Sequence, residues 1–267
     1  MHRDQLEKGL LPGYTKETLK DNTYFVIDSE SDLDQKWPRI LDLRTDFIKT
    51  ILLFSDEFEK RKDQDIPDAL KGLDPRLLPK IVEKAHAAKL HVSTHVMNAA
   101  DFHAAVAAGT DEIAHLPFAT DSIMIEDAKL AARRGIVVDT TCGMIPAIPR
   151  RLLPEAIVPQ VVTAQKANLR LLHESGVRLA VGSDIIASAV KEFDYLQKLD
   201  VFDNLTLLKM WTETTAQTIF PGRKIGELRE GYEASFLALE GNPLDDIMNV
   251  HRIKLRFKQG MPVQLSN

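Results

Sequence analysis

Four times in this 267-residue chain a short, β-branched apolar run is followed by a helical pattern that closes before the next run begins. The runs are Phe47 to Phe54, Leu90 to His95, Asp111 to His115, Gly135 to Asp139 and Val177 to Val181. Apolar runs of this length with few alternating polar residues suit strands covered on both faces. Strands that alternate with helices cannot be joined by hairpins, so they pair in parallel through right-handed crossovers. The expected fold class is therefore α/β with a parallel sheet.

The intervening segments carry helix punctuation. Residues 75–89 follow Asp74-Pro75, an N-cap with proline at the first helical position. The alanine-rich stretch from Asn98 to Ala108 closes on Gly109, and a helix capped by Asp121 is expected to run to Arg134 and close on Gly135. A longer helix is expected from Pro154 to Ser175 and another from Leu205 to Ile219. In the early chain, Tyr24 to Ile27 reads as a strand and Ser29 to Leu43 as a helix. The tail changes character: Ala234 to Leu239 and Arg252 to Phe257 read as strands, and Gly260-Met261-Pro262 turns the chain into a last short one. The expected division is a barrel-type domain over residues 1–220 and a small β segment over 221–267.

Composition narrows the function. There are 34 basic and 39 acidic residues, a net charge of −5, and no basic block, so nucleic acid is not an expected partner. No apolar run approaches the roughly 18 residues that span a bilayer. Met1 to Gln5 lacks the apolar core of a secretory signal, and no compartment is assigned. The single cysteine, Cys142, excludes an intrachain disulfide framework and any multi-cysteine metal site.

In parallel α/β barrels the functional side chains sit at the C-terminal ends of strands. His95 and His115 each end a run, Ser183-Asp184 follows the last run, and Lys49 sits inside the first. Singly, each has an ordinary structural reading. A strand-end histidine is commonly satisfied or exposed, Asp184 after glycine and serine suits a turn or cap, and a lysine in an apolar strand snorkels or pairs. Their joint placement at one end of the sheet is what distinguishes them. His86, His103 and His173 fall on helical segments with polar neighbours, and His91 lies about four residues, roughly 13 Å, before His95. Cys142 has no local signature of a nucleophile and reads as a packed thiol.

Asp46-Phe47-Ile48-Lys49, Val92-Ser93-Thr94-His95, Gly109 to His115 and Gly182-Ser183-Asp184, taken in order, resemble the amidohydrolase superfamily, nearest its imidazolonepropionase-like and Xaa-Pro dipeptidase-like branch. Ile225-Gly226-Glu227-Leu228, Gly231 and Asn242-Pro243-Leu244 resemble the closing stretch of the same family, and the resemblance covers about residues 40–264. It implies a TIM-type (β/α)8 barrel of which strands four to eight are present, with a small C-terminal β appendage. It also implies a metal-dependent hydrolase acting on a non-peptide amide, a cyclic amide or a dipeptide, with a small molecule as substrate. By the resemblance Lys49 carries a carbamate that bridges two metals, His95 and His115 bind the second metal, and Asp184 is both ligand and proton carrier. One or two divalent ions, zinc first among them, are the implied cofactor.

The chain departs from that pattern in one respect. The family opens its barrel with a His-x-His pair, and no two histidines here are two residues apart. The first metal site and the first three strands are accordingly expected to be missing. The chain is then an incomplete hydrolase, one subunit of a split enzyme whose first strands come from a complementing N-terminal chain, or a non-catalytic module that binds metal, ligand or protein; a homo-oligomer is the other partner expectation. Substrate choice is expected in the loops Phe54 to Asp68, Pro117 to Asp121 and Cys142 to Arg151. Arg150 and Arg151 there read as a carboxylate contact or as an exposed basic helix start.

Overall fold

The computed structural model describes residues 24–64, 71–118, 120–148, 153–184 and 188–264. The chain forms two compact units, divided between Ile136 and Val137.

In the first unit the opening helix α1 (Glu30–Asp42) is capped by Ser29, whose hydroxyl accepts from the Asp32 N–H, and it buries Leu33 and Trp37. Strands β1 (Phe47–Ile51), β2 (His91–His95) and β3 (Glu112–Ile113) follow in spatial order, each parallel to the next. Four helices accompany them: α2 (Phe58–Arg61), α3 (Leu78–Ala87), α4 (Ala99–Ala108) and α5 (Ile125–Arg134). The parallel pairing follows from the connections, since each crossover contains a helix. α3 buries Leu78, Ile81, Val82 and Ala85, at the three- and four-residue spacing of one helix face. Leu52, Val92, Phe102 and Ile113 join this core, all without solvent exposure.

In the second unit β4 (Val137–Asp139) pairs in parallel with β5 (Arg178–Ala180). The helices are α6 (Val158–Glu174), α7 (Ala189–Leu199), α8 (Asn204–Lys209) and α9 (Thr215–Ile219). A separate antiparallel sheet closes the chain, with β7 (Ile253–Lys258) between β6 (Phe236–Leu239) and β8 (Met261–Pro262). Phe236 and Phe257 are partners across β6 and β7, and their rings stack 4.7 Å apart. The tail strands were thus expected within two residues of where they form.

Three local expectations need correction. Helix α5 begins at Ile125, and its N-cap is Met124, with no side-chain cap. Asp121 stands three residues before that N-cap. Glu126 and Asp127 place negative charge in that turn instead. Tyr24 makes a single bridge and the three residues after it form no strand. The helix expected over Leu205 to Ile219 contains a π turn, Met210–Thr214, between α8 and α9. The Thr215 hydroxyl donates to the Met210 carbonyl at 2.8 Å and accepts from the Val181 N–H at 2.8 Å. The wider turn therefore ties the end of β5 to the helix, and a regular helical repeat gives no sequence sign of it.

Candidate active site

In the first unit, β1 and β2 are in register with Lys49 beside Ser93 and Ile51 beside His95. β2 and β3 pair Ser93 with Glu112. Side chains of laterally paired residues share a sheet face, and residues two apart along a strand share it as well. Lys49, Ser93 and Glu112 therefore form one polar row. The Lys49 ammonium nitrogen donates to Ser93 Oγ at 3.2 Å, and Ser93 Oγ donates to Glu112 Oε1 at 2.8 Å. Thr50, Thr94 and Thr110 form a buried hydroxyl ladder, with oxygens 2.9 and 2.8 Å apart. Polar side chains thus occupy both faces of the central strand, and those on the covered face are satisfied by one another.

His95 lies two residues beyond Ser93, roughly 7 Å along the strand. The chain leaves β3 at Ile113, and Ala114 N–H still bonds to the Thr94 carbonyl at 2.9 Å. That bond carries His115 to the neighbouring strand end, where its ring meets His95 edge to face with centroids 4.5 Å apart. His115 is 8% exposed and also faces Phe118 at 6.1 Å. The structure thus brings His95 and His115 together and sets Lys49 one layer below them, third of the five residues of β1.

Asp184 belongs to the second unit, is exposed, and has a left-handed backbone with φ of 42°. Aspartate is one of the few non-glycine residues that tolerate this region. Just before it, Gly182 packs its Cα against the Asp139 carboxylate, and a Cβ there would run into those oxygens. The glycine is required by close approach rather than by a turn. Arg150 and Arg151 lie outside the described residues.

Two buried carboxylates hold the loops that follow the strands. Asp101, on α4, accepts from the N–H groups of Phe54, Ser55, Met97 and Asn98 and from the Ser55 hydroxyl. It joins the loop after β1 to the loop after β2 and completes a capping box with Asn98. Glu192, on α7, does the same for the loop after β4. It accepts from Thr140 Oγ1 at 2.6 Å, from the Cys142 N–H at 2.8 Å and from the Gly143 N–H at 2.6 Å. Burial pushes the Glu192 carboxyl above its ordinary 4.5, while the hydrogen bonds from Thr140, Gly143 and Cys142 oppose the shift. The Cys142 thiol is fully buried and held well above the usual thiol range, by burial first and then by the Glu192 and Asp139 charges. It is a packed thiol, as its sequence context suggested.

The Glu192 shift gives a pH dependence of defined sign. An acid whose folded value is raised contributes stability below its unfolded value, and that contribution is lost as pH rises through the folded value. The stability of the unaltered chain relative to Glu192→Gln is therefore expected to fall as pH rises above the ordinary glutamate value of about 4.3. Urea unfolding at a series of pH values measures it, and a flat difference would contradict the shift.

Among the described residues no three His, Cys, Asp or Glu side chains gather as a metal-holding group. The His95–His115 pair supplies two imidazole nitrogens, which suit zinc and similar ions and make up half of a four-coordinate shell. The donor set fits a divalent ion in part, with oxygen ligands still to be supplied.

The family model for the amidohydrolase family matches residues 67–263. The chain belongs to that family. The matched span includes His95, His115 and Asp184 and begins after Lys49. Ochratoxinase of Aspergillus niger is 28% identical over 187 residues, covering 65% of this chain and 37% of the relative. Among solved structures, A. niger ochratoxinase superposes with a TM-score of 0.69 at 23% identity, over 88% of this chain and 55% of that one. A Xaa-Pro dipeptidase with bound methionine gives 0.68 at 19% identity, over 98% and 64%. A prolidase complexed with N-methylphosphonate-L-proline gives 0.67 at 22% identity, over 90% and 60%. These structures establish the fold: this amidohydrolase has the α/β architecture of barrel proteins. Its described residues supply five barrel-type strands where a closed barrel has eight. The chain spans less than two thirds of the length of each of these relatives. Among the described residues no helix is long and apolar enough to cross a membrane.

Ser93, Glu112, Asp101 and Glu192 were not singled out by sequence. Ser93 and Glu112 interrupt apolar strands at the parity of Lys49, Asp101 is a buried acid in an alanine-rich helix, and Glu192 faces inward from an amphipathic one. That parity and that facing are the signals that carried them.

Proposed function

We propose that this amidohydrolase carries most of a metal-dependent centre for hydrolysing a C–N bond in an amide, cyclic amide or dipeptide of low molecular weight. The observation that carries the reading is the meeting of His95 and His115 at the ends of neighbouring parallel strands, 4.5 Å between centroids. In it, His95 and His115 hold a divalent ion, zinc first among candidates, through neutral imidazole nitrogens. By the family resemblance, Lys49 as its carbamate would supply an anionic oxygen ligand, and Asp184 would supply a second. The ion, when bound, lowers the pKa of a water and polarises the scissile carbonyl. Asp184 takes a proton from the attacking water and returns it to the leaving nitrogen, acting as base and then acid. A carbamate suits oxygen-preferring sites better than an ammonium, which offers no lone pair.

His-x-His occurs nowhere in the 267 residues, so in this reading a complementing chain of different sequence supplies that pair. The names of the relatives support a C–N bond as the target: ochratoxinase, prolidase and Xaa-Pro dipeptidase. Metal analysis of the purified chain tests the reading, with about one or two zinc-like ions per chain expected. The content is expected to fall in Lys49→Ala. A chain that retains no divalent ion and hydrolyses no dipeptide, N-acyl or lactam substrate, even at high protein concentration, would sink it.

A further inference from the structure

Lys49, exposed on β1, heads a directional hydrogen-bond chain. The Lys49 nitrogen donates to Ser93 Oγ at 3.2 Å, and the Ser93 hydroxyl donates to Glu112 Oε1 at 2.8 Å. The register of β1, β2 and β3 sets the three residues side by side, so the order follows from the fold rather than from chance rotamers. Ser93 is buried, 4% exposed. We propose that Glu112, acting through Ser93, positions the Lys49 nitrogen for carbamate formation and then holds the carbamate in one plane. The inference rests on the reading of Lys49 given under the proposed function and deepens it.

A serine hydroxyl has one hydrogen and two lone pairs. With its hydrogen committed to Glu112, Ser93 can face Lys49 only as an acceptor. An amine N–H directed at Ser93 leaves the amine lone pair turned away from the row. In the reaction that lone pair forms the N–C bond to carbon dioxide. One C=O electron pair moves to oxygen, and the nitrogen gives two protons to water in all, one as the ammonium becomes the amine and one as the carbamate forms. The product, an N-substituted carbamate anion, has a planar nitrogen with a single N–H. That one donor needs one acceptor, and Ser93 Oγ is held in place to be it. Without Glu112 the hydroxyl is free to rotate and donate instead, which competes for the lone pair the reaction uses. Glu112 and Ser93 are in this account positioning residues, and neither touches substrate.

The test uses the 267-residue chain equilibrated with isotopically labelled bicarbonate, with the carbamate carbon read by NMR and bound metal measured in parallel. The unaltered chain is expected to show the carbamate resonance and Lys49→Ala to lack it. Glu112→Ala and Ser93→Ala are each expected to lower carbamate occupancy about tenfold or more, the effect of losing a hydrogen bond to a charged group. Glu112→Gln is expected to restore it, because the side-chain carbonyl still accepts from Ser93 without the charge. Should Glu112→Ala fail to fold, Ser93→Ala removes one oxygen and carries the same comparison. Unchanged carbamate in Ser93→Ala or Glu112→Ala overturns the inference alone. A Glu112→Gln variant as deficient as Glu112→Ala also overturns it, since charge and not orientation would then matter. No carbamate in the unaltered chain, or one that persists in Lys49→Ala, overturns the reading of Lys49 itself.

Discussion

Asp101→Ala is expected to destabilise the chain by about 3–5 kcal/mol, the largest effect of any single polar substitution in the first unit. The carboxylate has no solvent exposure and receives hydrogen bonds from four main-chain N–H groups and one hydroxyl. Removing it strands those donors, and each unsatisfied buried group costs roughly 1–3 kcal/mol before relaxation and water entry reduce the sum. Domains of this kind have only about 5–15 kcal/mol in hand, so a chain without Asp101 stands near the unfolding threshold. Urea denaturation followed by circular dichroism measures the shift in midpoint. A change under about 1 kcal/mol, the net worth of a single hydrogen bond, would mean that the loops after β1 and β2 are held by something else. Asp101→Asn separates charge from geometry, because the amide keeps one acceptor oxygen and leaves some of the donors unsatisfied.

The second large effect concerns metal. His95→Ala is expected to lower zinc affinity by at least about 100-fold, since substitution of a mere outer partner already costs about 10–100-fold. The ring lost is one of two that meet at the strand ends, and a solitary His115 cannot hold an ion in two-point contact. His86→Ala is the control: that histidine bonds to Asp111 at 2.9 Å on the surface of the same unit. Titration with zinc against a competing chelator reads both. Equal affinity in the two variants would show that His95 is not a ligand.

Much of the fold was legible because its signals are local. The N-caps Ser29, Asp74 and Asn98 and the left-handed Gly109 and Gly135 stand where helices start or stop. β1, β2, β4 and β5 lie within the apolar runs that predicted them. The run Asp111 to His115 was overextended: only Glu112 and Ile113 pair as strand, and the departure of the chain after Ile113 accompanies the meeting of His115 with His95. Helix α7 was not foreseen. Its apolar positions Phe193, Leu196 and Leu199 are interrupted by the buried acid Glu192, which reads as polar until its donors on another segment are known. For the same reason Asp101 looked like one acid in an alanine-rich helix. A sequence lists the acceptor, whereas the donors that justify its burial are main-chain groups, which every residue has. The two histidines were legible as strand-end residues, but the hydrogen-bonded row below them required the register of three strands.

Because Asp101 and Glu192 hold main-chain N–H groups, their grip leaves open which side chains those positions carry. A designer seeking altered substrate preference could therefore randomise Phe54 and Met97 with proline as the one residue excluded by the anchor, since proline alone lacks the donor. Cys142 allows the same freedom within the limits of its packing. Gly143 does not: a Cβ there would press on Glu192 and Tyr195. Within each unit the anchor thus separates loop positions that can be rewritten from those that hold the loop in place, with the boundary drawn at single residues.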